Sequence, residues 1–232
     1  MTNSNIPGWP DQSLVTSAPV KEALAALLTE ARLGRRWRGL TGESRSAHAR
    51  ILHAFVASGR PPEISTFPGH VLADLERRDL VHAGDGRISV AYPFATEATD
   101  FLVTVEGLNN HAVCAIDALG VAAMTGKAAR VSCLCPICGT AVETTVADDG
   151  LAHEGTTHPD ARIWTGVMHV GACAADSQCK SMRLFCCAEH LAEWRESRPE
   201  MTGFDLSLAE GIQLGAAIFK PFLLEEAQGA AP

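Results

Sequence analysis

The chain has 232 residues, 47% of them hydrophobic and 20% charged, with a formal net charge of −8. That size suits one large domain or two small ones, and the composition is that of a soluble globular protein. The acidic balance excludes a global basic field that would draw nucleic acid or an anionic membrane, and no run approaches the ~18 apolar residues of a membrane span. The charge is unevenly spread. Residues 21–95 hold eleven Lys/Arg and eight Asp/Glu, a net of +3, which leaves −11 for the remainder and points to two units.

In chain order, Met1 to Pro19 is rich in Ser, Thr, Pro and Asn and reads as a loose tail over residues 1–20. It lacks the basic and apolar regions of a secretory signal, so a cytoplasmic protein is expected. Residues 21–33 read as an amphipathic helix with Leu24, Leu27 and Leu28 on one stripe. Residues 45–57 give a second, with Ile51, Leu52, Phe55 and Val56 inward and Gly59 as its stop. Pro62 to Phe67 is a Pro-broken connection, and a third helix is expected from about Pro68 to Asp79. The Gly84-Asp85-Gly86 turn then separates a short strand from a second one, Arg87 to Ala91. Helices followed by a short hairpin suggest a winged-helix-like unit over residues 21–95. Asp74, Glu76 and Asp79 argue against a DNA-reading third helix unless they are buried or turned away, so no nucleic-acid partner is expected.

The texture changes after Thr96, where a second unit, residues 96–232, is expected. Phe101, Val103 and Val105 alternate with polar residues as in a strand. Residues 112–125 read as helix. Ala129 to Cys133 and Thr140 to Val146 read as strands joined by a cysteine-bearing turn, Asp148 to Pro159 as a polar loop and Ile163 to Val170 as a strand. Residues 171–181 form a second cysteine-bearing loop, and Cys186 to Ser197 has helical spacing. Ser207 with Glu210 fits a capping box opening a last helix that Pro221 interrupts. The expected fold is α+β: a winged-helix-like helical domain, then a mixed or antiparallel sheet flanked by helices.

All eight cysteines lie at or beyond residue 114, and in a reducing compartment such clustering favours metal or thiolate chemistry over disulfides. Cys114 and Asp117, at i and i+3, share a helix face. A helix N-terminus lowers a thiol pKa, and a neighbouring carboxylate can accept or deliver a proton; the plainer alternative is a buried small hydrophobe. The vicinal pair Cys186-Cys187 supplies a soft sulfur site. Cys135-Pro-Ile-Cys138-Gly139, with Cys133 just before it, resembles half of a zinc knuckle, and a structural zinc needs four ligands. Cys173 and Cys179 are candidates to complete it. His190 lies four residues after Cys186 and so shares its helical face.

Cys114-Ala-Ile-Asp117-Ala-Leu, then Gly126-Lys-Ala-Ala-Arg130-Val-Ser132 with Cys135 shortly after, Phe185-Cys186-Cys187 and a late Leu214-Gly215 together resemble the organomercurial (alkylmercury) lyase family in the same order. The resemblance implies a winged-helix-like N-terminal domain and cleavage of carbon–mercury bonds. It makes Cys114 and Cys186 the two catalytic, mercury-holding thiols and Asp117 the proton-handling carboxylate, in possible contact with mercury. Cys135 matches a structural cysteine, and Cys187 the neighbour of a catalytic one. Val113 stands where members often carry an aromatic pocket residue. Cys133, Cys138, Cys173 and Cys179 are additional to the pattern, open to zinc, to transient mercury or to no role.

The same resemblance implies no required organic cofactor, Hg(II) as bound product, a structural zinc as an open option, and a small organomercurial as substrate. Cellular thiols or a mercuric reductase would accept the ion, and the chain would be a monomer or weak dimer. A soft-metal-responsive winged-helix regulator and a zinc-stabilised binding module are the alternative readings.

Overall fold

The computed structural model describes residues 9–29, 33–168 and 173–224. The expectations for residues 1–8 of the tail, for 30–32 in the first helix and for 169–172, between a strand and the second cysteine loop, lie outside these residues. From Trp9 onward the chain is packed, which corrects the loose segment expected there for residues 9–20. The Trp9 indole Nε1 donates to Ile218 O at 3.0 Å, and the Asp11 amide donates to Ala217 O at 2.9 Å. Trp9 also lies 5.5 Å from Trp37, ring centroid to centroid. One large aromatic ring outweighs the polar composition around it.

The first unit contains α1 (Ala18–Leu27), α2 (Gly34–Trp37), α3 (Gly42–Ser58) and α4 (Gly69–Arg77), followed by the hairpin β1 (Val81–Gly84) and β2 (Arg87–Ala91). Local chemistry sets the ends of α3. The Thr41 side chain accepts from the Ser44 amide, and Gly59 closes the helix at φ 70°. Asp79, expected at the end of the third helix, lies just past α4 and is turned inward and buried.

The hairpin does not stand apart. Together with β3 (Phe94–Ala95), β4 (Phe101–Val105), β5 (Leu108–Ala112), β6 (Ala129–Leu134), β7 (Ala141–Val146) and β8 (His153–Thr156) it makes one eight-stranded sheet. Its order is β1-β2-β3-β5-β4-β6-β7-β8, antiparallel throughout. The boundary expected at residues 95/96 therefore falls directly after β3, within a hydrogen-bonded sheet. A second, three-stranded sheet is built from β9 (Arg162–Gly166), β10 (Arg183–Phe185) and β11 (Gly203–Ser207), ordered β10-β9-β11. The fold is thus α+β with antiparallel sheets. The expected polar loop at 148–159 contains β8, an edge strand that pairs with β7 alone.

The centre is α5 (Ala115–Thr125), in which every residue from Ala115 to Met124 is buried. It packs on α7 (Leu208–Phe219), which follows α6 (Ala188–Glu196) and precedes the short α8 (Pro221–Leu224). The capping box is present: the Ser207 amide donates to Glu210 Oε2 at 2.8 Å, and Ser207 Oγ accepts from the Glu210 amide. The two helices touch where each has a glycine. A Cβ at Gly120 would stand 2.9 Å from Gly215 O, and one at Gly215 would stand 2.8 Å from the Gly120 nitrogen, so only hydrogen fits on either side.

A buried polar network ties the first unit to the cysteine-rich half. The Arg36 guanidinium meets Asp79 Oδ2 at 2.7 Å and lies 4.1 Å above the Tyr92 ring. Asp79 Oδ1 also takes His82 Nε2 at 2.6 Å and the Ala174 amide at 3.3 Å, while the Tyr92 hydroxyl accepts from the Ala175 amide at 2.7 Å. Burial alone would raise the Asp79 carboxyl. Hydrogen bonds from His82 and Arg36, with their positive charges, outweigh it and hold the group down at about 2. Removing one partner of a buried ion pair strands the other. Asp79→Ala is therefore expected to lower unfolding stability by about 3–5 kcal/mol, read by denaturant melts at pH 7; a loss below about 1 kcal/mol would contradict the network's role.

Candidate active site

Cys114 precedes α5 in extended conformation, and its Sγ accepts from the Asp117 amide at 3.5 Å, so the thiol itself caps the helix. The i, i+3 spacing brings the Asp117 carboxyl back to the same end. The third member arrives from a different part of the chain. Residues 173–175, pinned by Asp79 and Tyr92, lead into a 3-10 turn, Gln178–Ser181, that carries Cys179. Ligand atoms of Cys114, Asp117 and Cys179 all lie within 4.8 Å of one another, and all three residues are buried. Met182 adds a further sulfur, 3.4 Å from Cys114 Sγ.

The electrostatics follow from that burial. Burial pushes the Cys114 thiol well above its ordinary value, and the hydrogen bond with Cys179 and the charge of Asp117 push it further. At Cys179 the hydrogen bond from Cys114 favours the thiolate, yet burial and Asp117 carry the balance upward. Burial also lifts Asp117 to about 7, against the hydrogen bond from Cys114 and the positive charge of Arg36. Among the described residues, its buried Oδ2 has no hydrogen-bond partner. Asp117, Cys179, Arg36 and Gln178 line a narrow pocket whose other walls are apolar, among them Ile116, Met182 and Phe219.

Spacing pairs Cys114 with Asp117, and the family resemblance adds Cys186 to them. The structure brings the first two together and puts Cys179 beside them; Cys186 belongs to another group. Its Sγ lies 3.7 Å from Cys138 Sγ and 2.9 Å from His190 Nδ1, and with Cys135 these atoms form a set within 4.8 Å. The physical reason is that Cys186 follows β10, whose partner β9 fixes it at the far end of the strand from the Cys179 turn. Cys187 opens α6 as its N-cap, 4.0 Å from Cys186. Cys173 sits with Asp79 and His82. Cys133 lies on β6 and belongs to none of the three groups.

Two adjacent sulfurs and a carboxyl raised by burial, beside a largely apolar pocket, suit a soft electrophile whose cleavage needs a proton. The alkylmercury lyase family model matches residues 94–220, more than half the chain, and the chain belongs to that family. It is accordingly an enzyme of carbon–mercury bond cleavage, and the regulator and binding-module alternatives find no support. A solved structure described as the mercury-bound form of MerB2 superposes with a TM-score of 0.70 at 22% identity, over 89% of this chain and 100% of that one. At that identity the likeness concerns the fold. A search of curated proteins finds no sequence match. No described helix is long and apolar enough to cross a membrane.

Proposed function

We propose that Cys114 and Cys179 form the sulfur pair that takes an alkyl- or arylmercury cation, and that Asp117 moves the proton. The observation behind this assignment is the convergence of ligand atoms of those three buried side chains within 4.8 Å, two of them, Asp117 and Cys179, lining a pocket. A soft mercury centre selects thiolate over harder ligands. As the first sulfur bonds to mercury, its proton passes to Asp117. The second thiol bonds next and gives up its own proton to solvent. Added sulfur electron density weakens the carbon–mercury bond, and the electron pair of that bond takes the proton from Asp117. A hydrocarbon leaves, and Hg(II) remains between two thiolates.

A carboxyl held near neutrality can both accept and return a proton at pH 7, and the unpartnered Oδ2 is free to face carbon. None of these steps calls for an organic cofactor. Hg(II) would leave by ligand exchange to cellular thiols or to the cysteines of a mercuric reductase. The eight free cysteines suit a reducing, cytoplasmic setting.

The test is incubation with an organomercurial in excess thiol, with hydrocarbon and Hg(II) measured together. Because Cys114, Cys179 and Asp117 are all shifted upward, deprotonation for capture becomes easier as pH rises. The expected kcat/KM increases from pH 6 to 9, and a profile falling across that range would contradict the assignment.

A further inference from the structure

We propose that Cys135, Cys138, Cys186 and His190 form a tetrahedral Cys3His zinc site that joins the end of β6 to the start of α6. This site stands independently of the roles given to Cys114, Cys179 and Asp117.

Four ligand atoms of the right kinds converge from two distant parts of the chain. Cys135 and Cys138 lie on a tight turn after β6, closed by the Cys135 amide donating to Thr140 O and the Gly139 amide donating to Cys135 O, each at 2.9 Å. Gly139 takes the left-handed conformation, φ 70°, that such a turn requires. Cys186 follows β10, and His190 lies one helical turn later in α6. Its Nδ1 faces the Cys135 and Cys186 sulfurs at 3.7 and 2.9 Å, which leaves Nε2 for a proton and Nδ1 as a donor to metal.

Distances decide which ion suits. With Zn–S bonds of about 2.3 Å and Zn–N of about 2.0 Å, tetrahedral geometry puts sulfurs ~3.8 Å apart and sulfur ~3.5 Å from nitrogen. Cys138 and Cys186 stand at 3.7 Å, and Cys135 and His190 at 3.7 Å. The Cys186–His190 pair is tighter and opens slightly around an ion. A linear two-thiolate ion with the same bond length would need its sulfurs ~4.6 Å apart, so the Cys138–Cys186 spacing disfavours mercury in the linear form. Four protein ligands also leave no open position, which marks a structural rather than a catalytic zinc.

The placement has a purpose. β6 belongs to the eight-stranded sheet and β10 to the three-stranded one, so the ion would fasten one sheet to the other. It would also anchor the downstream end of the segment that carries Cys179.

The experiment uses the full chain, purified with thiol reductant and without chelator, and measures zinc by elemental analysis and native mass spectrometry. One zinc per chain is expected, retained in Cys133→Ser and lost in Cys138→Ser/His190→Ala. Replacement by Co(II) should give the visible bands and sulfur-to-cobalt charge transfer of a tetrahedral thiolate site. Zinc-free wild type, zinc retained in full by the double variant, octahedral cobalt spectra, or a Cys138–Cys186 disulfide under reducing conditions would each overturn the site.

Discussion

Cys179→Ser is expected to reduce carbon–mercury cleavage on the order of 10³-fold or more, the scale of removing one member of a group that acts as a unit. Serine keeps the shape of the turn but replaces a soft ligand with a hard, weakly acidic one. Cys114 could still capture the organomercury cation, so the variant should hold one equivalent of substrate and release little hydrocarbon. The informative contrast is Cys186→Ser. That thiol lies in the group with Cys135, Cys138 and His190, so its loss should act through the amount of folded protein, and turnover per folded molecule should stay within a few-fold of the parent. Single-turnover assays normalised to folded protein separate the two. Equal damage by both substitutions, or full activity in Cys179→Ser, would return the role to Cys186.

Asp117→Asn combines an expected loss of activity with an expected gain in stability. Without a proton to deliver to carbon, cleavage should fall by about 10²–10⁴, the usual contribution of a positioned acid or base, while Hg(II) binding by the sulfur pair persists. The stability effect has a definite sign. The carboxyl has an ordinary value of 3.8 and a folded value of about 7. Between those limits the native state binds more protons than the unfolded one, so stability falls as pH rises through this window and stays reduced above it. At about 1.4 kcal/mol per pKa unit the cost above pH 7 is on the order of 4 kcal/mol. A neutral amide of the same size escapes it. The variant should melt higher than the parent at pH 8, with the advantage vanishing near pH 4. A melting temperature at or below the parent's at pH 8 would show that the carboxyl is not held against its ordinary ionisation.

Much of the scaffold was legible because its signals are local. Gly59 stops α3, the Ser207/Glu210 box opens α7, and the alternation of Phe101, Val103 and Val105 marks β4, while the Thr41 cap starts α3 three residues before the expected Arg45. β5 was hidden because Leu108-Asn-Asn-His-Ala has no branched or aromatic run; its neighbours β3 and β4 hold it in place from both sides. Within the site, Cys114 and Asp117 are three residues apart and could be paired from spacing alone. Cys179 reaches them only through tertiary packing, by way of a loop pinned to Asp79 and Tyr92, and its flanks, Gln178 and Lys180, advertise nothing. Cys186, next to Phe185 and Cys187, looked the better match. One signal that bears on Cys186 was present: C-x-x-C at 135–138 together with Cys186 and His190 at i, i+4 offers four ligands of the kinds zinc takes, which draws Cys186 away from Cys114 but does not choose among Cys133, Cys173, Cys179 and Cys187.

The meeting of α5 and α7 at Gly120 and Gly215 bears on the order in which the protein is made. Every cysteine precedes α7 in the chain, and Ile218 and Phe219 of α7 form part of the pocket wall. On the ribosome, Cys114 and Cys179 emerge before the helix that completes the pocket wall beside them. Until its glycine face docks, they are exposed to any soft ion in the cell.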